Sequence, residues 1–259
     1  MIELRNVSKS FDSGSTNVVN EVSFSVEKGE LLGLIGESGC GKTTTLKLIN
    51  RLEEPTAGEI LVADENVLQQ NPEELRRNIG YVFQGIGLFP HRSIEENVAA
   101  VPELLGWSKE KVIRRCNETL DMVGLPREEY GTRSPTELSG GQQQRVGVAR
   151  ALAAEPEVML MDEPFGALDP ITRAEIQDEF KKIQSDLDLT VIMVTHDMTE
   201  ALLMADRIAV MKAGEVLQLG TPHELLNYPA NEFVSDIVEM PKRRAELLDR
   251  LIDQEPRSD

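Results

Sequence analysis

Cysteine is nearly absent from this sequence. Only Cys40 and Cys116 occur, far apart, so neither a disulfide framework nor a cysteine-rich metal cluster can be built. That usage suits a reducing cytoplasm. Histidine is as scarce: His91, His196 and His223 stand at no zinc-ligand spacing. Positive charge is the minority sign. The 27 Lys and Arg against 45 Asp and Glu leave a formal charge of −18, with no basic run. Such a surface repels a nucleic-acid backbone and a broad anionic lipid surface. Apolar stretches such as "LLGLI" and "VMLM" are far too short to span a bilayer. The first residues, "MIELRNVSKSF", lack the apolar core of a secretory signal. Internal repeats and low-complexity linkers are also missing. The sequence reads as soluble on its own, and a membrane role would need a separate partner. Its 259 residues suffice for one large or two small domains with a substantial core.

What is present alternates between strand and helix signals. "LLGLI" reads as a buried strand ending at a glycine loop, with a helix following from about Lys42 to Arg51. "NIGYVF", "VMLM" and the β-branched "TVIMVT" read as further buried strands. Between the last two, Ile176, Phe180, Ile183 and Leu187 recur at helical spacing and predict an amphipathic helix lying on a sheet. This repetition implies right-handed crossovers and a mostly parallel sheet. "IELRNV" and "VVNEVSFSV" alternate like half-exposed strands and predict a small antiparallel layer at the N-terminus. "EENVAAVPELL" and "KEKVIRRCNETLDMV" predict a helical insertion, taken as about 93–155, within a domain of 1–240. Residues 241–259 are expected to form a short charged helical tail with a frayed end.

"GESGCGKTTT", positions 36–45, carries the first chemistry. Gly36 and Gly41, with Glu37, Ser38, Gly39 and Cys40 between them, permit a backbone that turns several amides inward onto an anion. The next helix aims its positive end at the same place. Lys42 can reach the β- and γ-phosphates of a nucleotide, the Thr43 hydroxyl can ligate Mg²⁺, and Thr44 is a further candidate for binding the nucleotide. A glycine-rich turn that happens to carry a lysine would leave the strand before it and the helix after it unexplained. The loop also reconciles polyanion binding with an acidic chain, because amides, Lys42 and Mg²⁺ make the local field positive. Cys40 reads as a small filler. "VMLMDEP" then delivers Asp162 and Glu163 to the carboxyl end of a buried strand, where parallel sheets bind ligands. Asp162 would hold Mg²⁺, and Glu163 would polarise a water beside the γ-phosphate. Two adjacent acids after a strand are by themselves only a solvated turn; the phosphate loop gives them this meaning.

"LSGGQQQR", positions 138–145, completes a set of motifs in order. With it the sequence resembles the ATP-binding cassette ATPases of ABC transporters, from about residue 2 to about 240. The resemblance implies an α/β fold: a P-loop NTPase parallel-sheet core, an N-terminal antiparallel layer and a helical insertion. It also implies that Ser139, Gly140, Gly141 and Gln142 cap the γ-phosphate of ATP bound to a second copy of the chain. The expected assembly is therefore a two-fold pair with two ATPs sandwiched between subunits. Gln84 matches the glutamine that senses Mg²⁺ and the attacking water. Asp169, in "ALD", matches the loop linking the two sites, and His196 matches the switch histidine that touches the γ-phosphate. A histidine after a strand is otherwise most often a helix cap or a surface residue. Phe11 matches the aromatic that stacks on adenine, where the family usually has tyrosine; edge packing is the plainer reading of a lone Phe.

An unfused cassette of this kind usually powers an importer, from the cytoplasmic face of the membrane and through integral-membrane permease subunits. An extracytoplasmic solute-binding protein takes part indirectly, and no nucleic acid is involved. Ile86, Leu88 and Phe89, just past Gln84, are expected to be exposed and to line the groove for a cytoplasmic permease helix. "LINRLEEPTAGEI", "DEPFGALDPITR" and "GTPHELLNYPANEFV" look most like the ATPases of osmoprotectant importers, which carry glycine betaine, choline or carnitine. Many of those continue into paired nucleotide-sensing domains, which these 259 residues do not contain. Importers of another small solute, such as an amino acid or an inorganic anion, remain the alternative. Soluble cassettes of the DNA-repair or translation type usually have two cassettes or a long coiled-coil insertion, and basic surfaces. A noncatalytic cassette would not need Lys42, Asp162, Glu163 and His196 all intact.

Overall fold

A computed structural model describes residues 1–11, 16–85 and 87–252, with side chains to 243. The strands are β1 (Ile2–Ser10), β2 (Asn17–Val26), β3 (Leu31–Gly36), β4 (Ala57–Val62), β5 (Glu65–Asn66), β6 (Ile79–Val82), β7 (Val158–Asp162), β8 (Thr190–Thr195), β9 (Arg207–Lys212) and β10 (Glu215–Gly220). They form two sheets. One is antiparallel, in the order β2-β1-β4-β5; the other runs β10-β9-β3-β8-β7-β6, parallel except for the terminal β9–β10 hairpin. The helices are α1 (Lys42–Ile49), α2 (Pro72–Asn78), α3 (Ile94–Leu104), α4 (Lys109–Met122), α5 (Arg127–Tyr130), α6 (Gly140–Leu152), α7 (Pro170–Asp186), α8 (Met198–Met204), α9 (Pro222–Asn227) and α10 (Glu232–Ile252). None is long and apolar enough to cross a membrane.

The parallel strands are apolar at most interior positions because both faces of their sheet are covered. Leu32 and Leu34 of β3, Leu160 of β7 and Ile192 and Val194 of β8 join the antiparallel layer and α1 in one buried cluster. The alternate residues Leu31, Ile35, Met159, Met161, Val191 and Met193 face the other way, into a second cluster with α3, α4, α6, α7 and α8. Parallel, in-register pairing of β3 and β7 with β8 places the carboxyl ends of the three strands side by side.

Several expectations need correction. The stripe on α7 ends early: Ile176 and Phe180 are buried and Ile183 packs partly, but Leu187 is the C-cap and is exposed. The periodic pattern outlasts the helix by one residue. The first helix closes at Ile49, with Asn50 as its cap, short of Arg51. Pro241 does not begin a separate tail, since α10 runs through it from Glu232. A proline removes one donor and crowds a carbonyl, but it does not have to end a helix. Residues 253–259 lie outside the described residues.

Candidate functional site

The phosphate loop joins β3 to α1. At Gly36 a β-carbon would collide with the backbone carbonyl of Met211 and lie 2.8 Å from Cys40 Sγ, so only glycine lets the loop pass beneath the end of β9. Gly41 has φ +105°, and a β-carbon there would meet the Val18 carbonyl oxygen at 2.5 Å. Lys42 is buried, and its ammonium donates to the Gly36 and Glu37 carbonyl oxygens at 2.7 and 2.9 Å. The cation is thus held inside the loop by the loop's own backbone. Cys40 is buried too, with Sγ 3.8 Å from Lys42 Nζ, which suits a filler.

Val18, Ser38, Gly39, Gly41, Lys42, Thr43, Thr44, Gln84 and Glu163 line one cleft of about 230 Å³. Behind it, Thr43 Oγ1 donates to Asp162 Oδ1 at 2.9 Å. Burial is the main cause that raises the Asp162 pKa above the ordinary carboxylate value. The Thr43 hydrogen bond opposes it and the neighbouring Glu163 charge adds to it. Glu163 holds a left-handed backbone conformation, φ 46°, an unusual one for a residue with a side chain. Its amide donates to the Val194 carbonyl of β8 at 3.0 Å. Its Oε2 is approached by Gln84 Nε2 at 3.3 Å and His196 Nδ1 at 3.2 Å. The chain thus brings Lys42, Thr43, Gln84, Asp162, Glu163 and His196 together from four elements. His196 is not a helix cap: Asp197 caps α8, accepting from the Thr199 and Glu200 amides.

Other candidates lie elsewhere. Ser139 and Gln142 form a reciprocal capping box at the start of α6, with Gly140 exposed and Gly141 packed on Thr172 of α7. Asp169 caps α7 by accepting from the Ile171 and Thr172 amides. Hydrogen bonds from Thr172 hold its exposed carboxyl below the usual pKa range. None of these five lines the cleft. Phe11 is not edge packing, because its ring is exposed and carries the Lys9 ammonium 4.8 Å from its centre.

Past Gln84, Phe89 is exposed but Leu88 is half-buried against the core, contrary to expectation; Ile86 lies outside the described residues. A groove of about 500 Å³ opens here, walled by Leu52, Tyr81, Phe83, Phe89, Leu104 and Arg150 among others. The sequence reading missed Val18, which lies in an ordinary alternating strand. It also missed α10 as a neighbour of the site. Ile237, Met240 and Pro241 face Glu37, Ser38 and His196 across a second groove.

The donor set suits the groups the motifs imply. A hydroxyl and a carboxylate in contact are hard oxygen ligands of the kind Mg²⁺ takes, together with phosphate oxygens and water. Among the described residues no group of three or more His, Cys, Asp or Glu is arranged to hold a metal alone, so a cation here would depend on the bound phosphates.

Comparison with known proteins identifies the family. The family model described as "ABC transporter" matches residues 19–166. The chain is 56% identical over 238 residues to the glycine betaine/carnitine/choline transport ATP-binding protein OpuCA of Bacillus subtilis, covering 92% of this chain and 62% of that protein. It therefore spans less than two thirds of that relative's length. To the glycine betaine uptake system ATP-binding protein YehX of Escherichia coli it is 50% identical, with 90% and 75% covered. Among solved structures, the dimeric post-hydrolysis state of the ATP-binding cassette MJ0796 with ADP and Pi superposes with TM-score 0.76. That pair is 36% identical, with 86% of this chain and 99% of that chain covered.

Proposed function

The chain belongs to the ABC transporter family, and on that premise we propose that it is the ATP-hydrolysing subunit of an importer for quaternary-amine osmoprotectants such as glycine betaine, choline or carnitine. The observation that carries the catalytic half of this reading is the convergence of Gln84 and His196 on the Glu163 carboxylate beside the loop that holds Lys42. A triphosphate entering the cleft would take over the Lys42 ammonium, which now bonds only to the loop. The amides around Gly41 and the N-terminus of α1 would hold its oxygens. Thr43 and Asp162 are the residues that would hold Mg²⁺, which supplies charge neutralisation to the phosphates. Glu163 would accept a proton from the attacking water. Gln84 and His196, through their contacts with Oε2, would keep that carboxylate aimed.

The Ser139 and Asp169 caps sit on other helix N-termini, outside the cleft. This separation supports a site completed by a second copy of the chain. The dimeric state of MJ0796 supports the same reading. Phe11, exposed beside the N-terminal layer, would stack on the adenine. The apolar groove past Gln84 would receive a cytoplasmic helix of an integral-membrane permease, placing the chain at the cytoplasmic face. The solute, delivered by an extracytoplasmic binding protein, would never touch this subunit. The substrate class rests on what the relatives are named for carrying. The test is release of phosphate from ATP by the purified chain, with and without Mg²⁺, followed by uptake of radiolabelled glycine betaine in vesicles holding the chain with its permease. Absence of Mg²⁺-dependent release would overturn the ATPase reading; ATPase without uptake would overturn the substrate.

A further inference from the structure

Two loops leave neighbouring strands of the parallel sheet at the site. The one after β7 carries Glu163 and, six residues later, Asp169; the one after β8 carries His196. Arg173, one turn into α7, holds both. Its Nη2 donates to the Leu168 carbonyl oxygen at 3.0 Å, and its Nη1 pairs with Asp197 Oδ2 at 3.6 Å. The other Asp197 oxygen caps α8, and its amide donates to Thr195 Oγ1 at 3.0 Å. The residue beside His196 is thereby fixed on three sides. Arg173 Nε is buried with no hydrogen-bond partner among the described residues. Glu163, Gly166, Arg173, His196, Asp197 and Glu200 meet around a cavity of only about 10 Å³. Arg173 thus sits where the two loops adjoin, sharing that small space with Glu163 and His196.

The location of this arginine also needs a reason. A cation in the first turn of a helix faces the positive end of the helix dipole, which disfavours it. Arg173 therefore does not serve α7. A guanidinium presents its donors in a rigid fork, which suits the bridging of a carbonyl and a carboxylate; an ammonium is a point charge.

We propose that Arg173 is a positioning residue, a clamp that ties the Asp169 loop to the His196 loop so that both move as one body around Glu163. The proposal rests on the hydrolytic reading of Glu163 and His196 given above. If the clamp aligns the loops for reaction, its loss lowers kcat and leaves nucleotide binding alone.

The experiment compares Arg173→Met, which keeps the stem and drops the fork, with Asp197→Asn, which keeps the α8 cap and drops the charge. The double variant, Arg173→Lys and Glu163→Gln complete the set. ATPase kinetics and melting temperature are measured for each. The expected result is a fall in kcat of about tenfold in each clamp variant, with KM for ATP within about twofold. The double variant should lose no more than the worse single one, because the two residues act as a unit. Arg173→Lys should stay impaired, since one ammonium cannot hold both partners. If Arg173→Met does not fold, Asp197→Asn alone decides. A kcat within twofold of wild type, a change in KM alone, or losses that multiply in the double variant would overturn the clamp. If Glu163→Gln keeps full activity, the underlying hydrolytic reading fails instead. If it is inactive while the clamp variants are normal, only the clamp fails.

Discussion

Glu163→Gln separates chemistry from binding at this site. The wild-type Oε2 accepts from Gln84 Nε2 at 3.3 Å and lies 3.2 Å from His196 Nδ1. Glutamine has nearly the same shape, and its carbonyl oxygen can face both groups. Its backbone must adopt the same left-handed φ of 46°, and neither side chain is favoured there, so the conformational cost is unchanged. Folding stability should accordingly move by less than about 1 kcal/mol. What glutamine cannot do is take a proton. Loss of general-base help removes about two to four orders of magnitude from turnover, equivalent to about 3–5 kcal/mol of barrier. Removing a negative charge beside a triphosphate should leave ATP affinity equal or tighter. With hydrolysis stalled, a pair of chains closed over two ATPs should persist. The assays are phosphate release at saturating Mg²⁺-ATP and size-exclusion chromatography with ATP, using ADP as control. Hydrolysis at the wild-type rate would remove Glu163 from the mechanism. A variant that stays monomeric at saturating ATP would count against a pair held by nucleotide.

Lys42→Ala should abolish ATP binding, because among the described residues no other side-chain cation lines the cleft; a calorimetric affinity within a few-fold of wild type would refute this. Ser139→Arg should remove hydrolysis and leave ATP binding by the single chain nearly intact, since Ser139 caps α6 outside the cleft. Equal loss of both would contradict a site shared between two copies. Phe89→Asp should impair transport and spare the isolated ATPase, Phe89 being exposed at the apolar groove; unchanged uptake in vesicles would refute docking there. Asp162→Asn should stabilise the nucleotide-free chain at pH 8 by about 1 kcal/mol, or about 2–4 °C, because burial opposes the ionised carboxyl. The pKa is raised, so the wild-type penalty is present above it and fades as pH falls through it. The two melting temperatures should therefore draw together as pH falls toward the ordinary carboxylate range, about pH 4. A variant less stable than wild type at pH 8 would refute the reasoning.

The residues of the phosphate cleft were legible because their chemistry is local. Gly36, Gly41, Lys42 and Thr43 are consecutive or nearly so, and a strand end fixes Asp162 and Glu163. The two faces of the parallel sheet were legible as apolar runs, although the alternation that divides Leu32 and Leu34 from Leu31 and Ile35 is invisible in a run that is apolar at every position. The β9–β10 hairpin went unread despite its signal. Ala213 and Gly214 both have positive φ, the two-residue turn that Gly favours between alternating strands. Leu88 was misjudged because loop residues near a motif look exposed in sequence, whereas its side chain turns back onto the helical core. The Arg173–Asp197 pair leaves no signal, since 24 positions and a strand separate its members.

The arrangement also explains why so acidic a chain can serve a polyanion. Its formal charge of −18 is screened over about 10 Å at ordinary ionic strength. The cleft responds to what lies within that distance. There, the Lys42 ammonium is held at the mouth of α1 by two carbonyls, while the acids at the strand end are both engaged, Asp162 by Thr43 and Glu163 by Gln84 and His196. Asp162 and Glu163 are therefore occupied by donors, while the Lys42 ammonium is held by neutral groups of the loop, two carbonyl oxygens and the Cys40 sulfur, that a phosphate can replace. The local balance favours an anion whatever the net charge. The acidic remainder of the surface repels other polyanions, which limits competition from nucleic acid at the same loop.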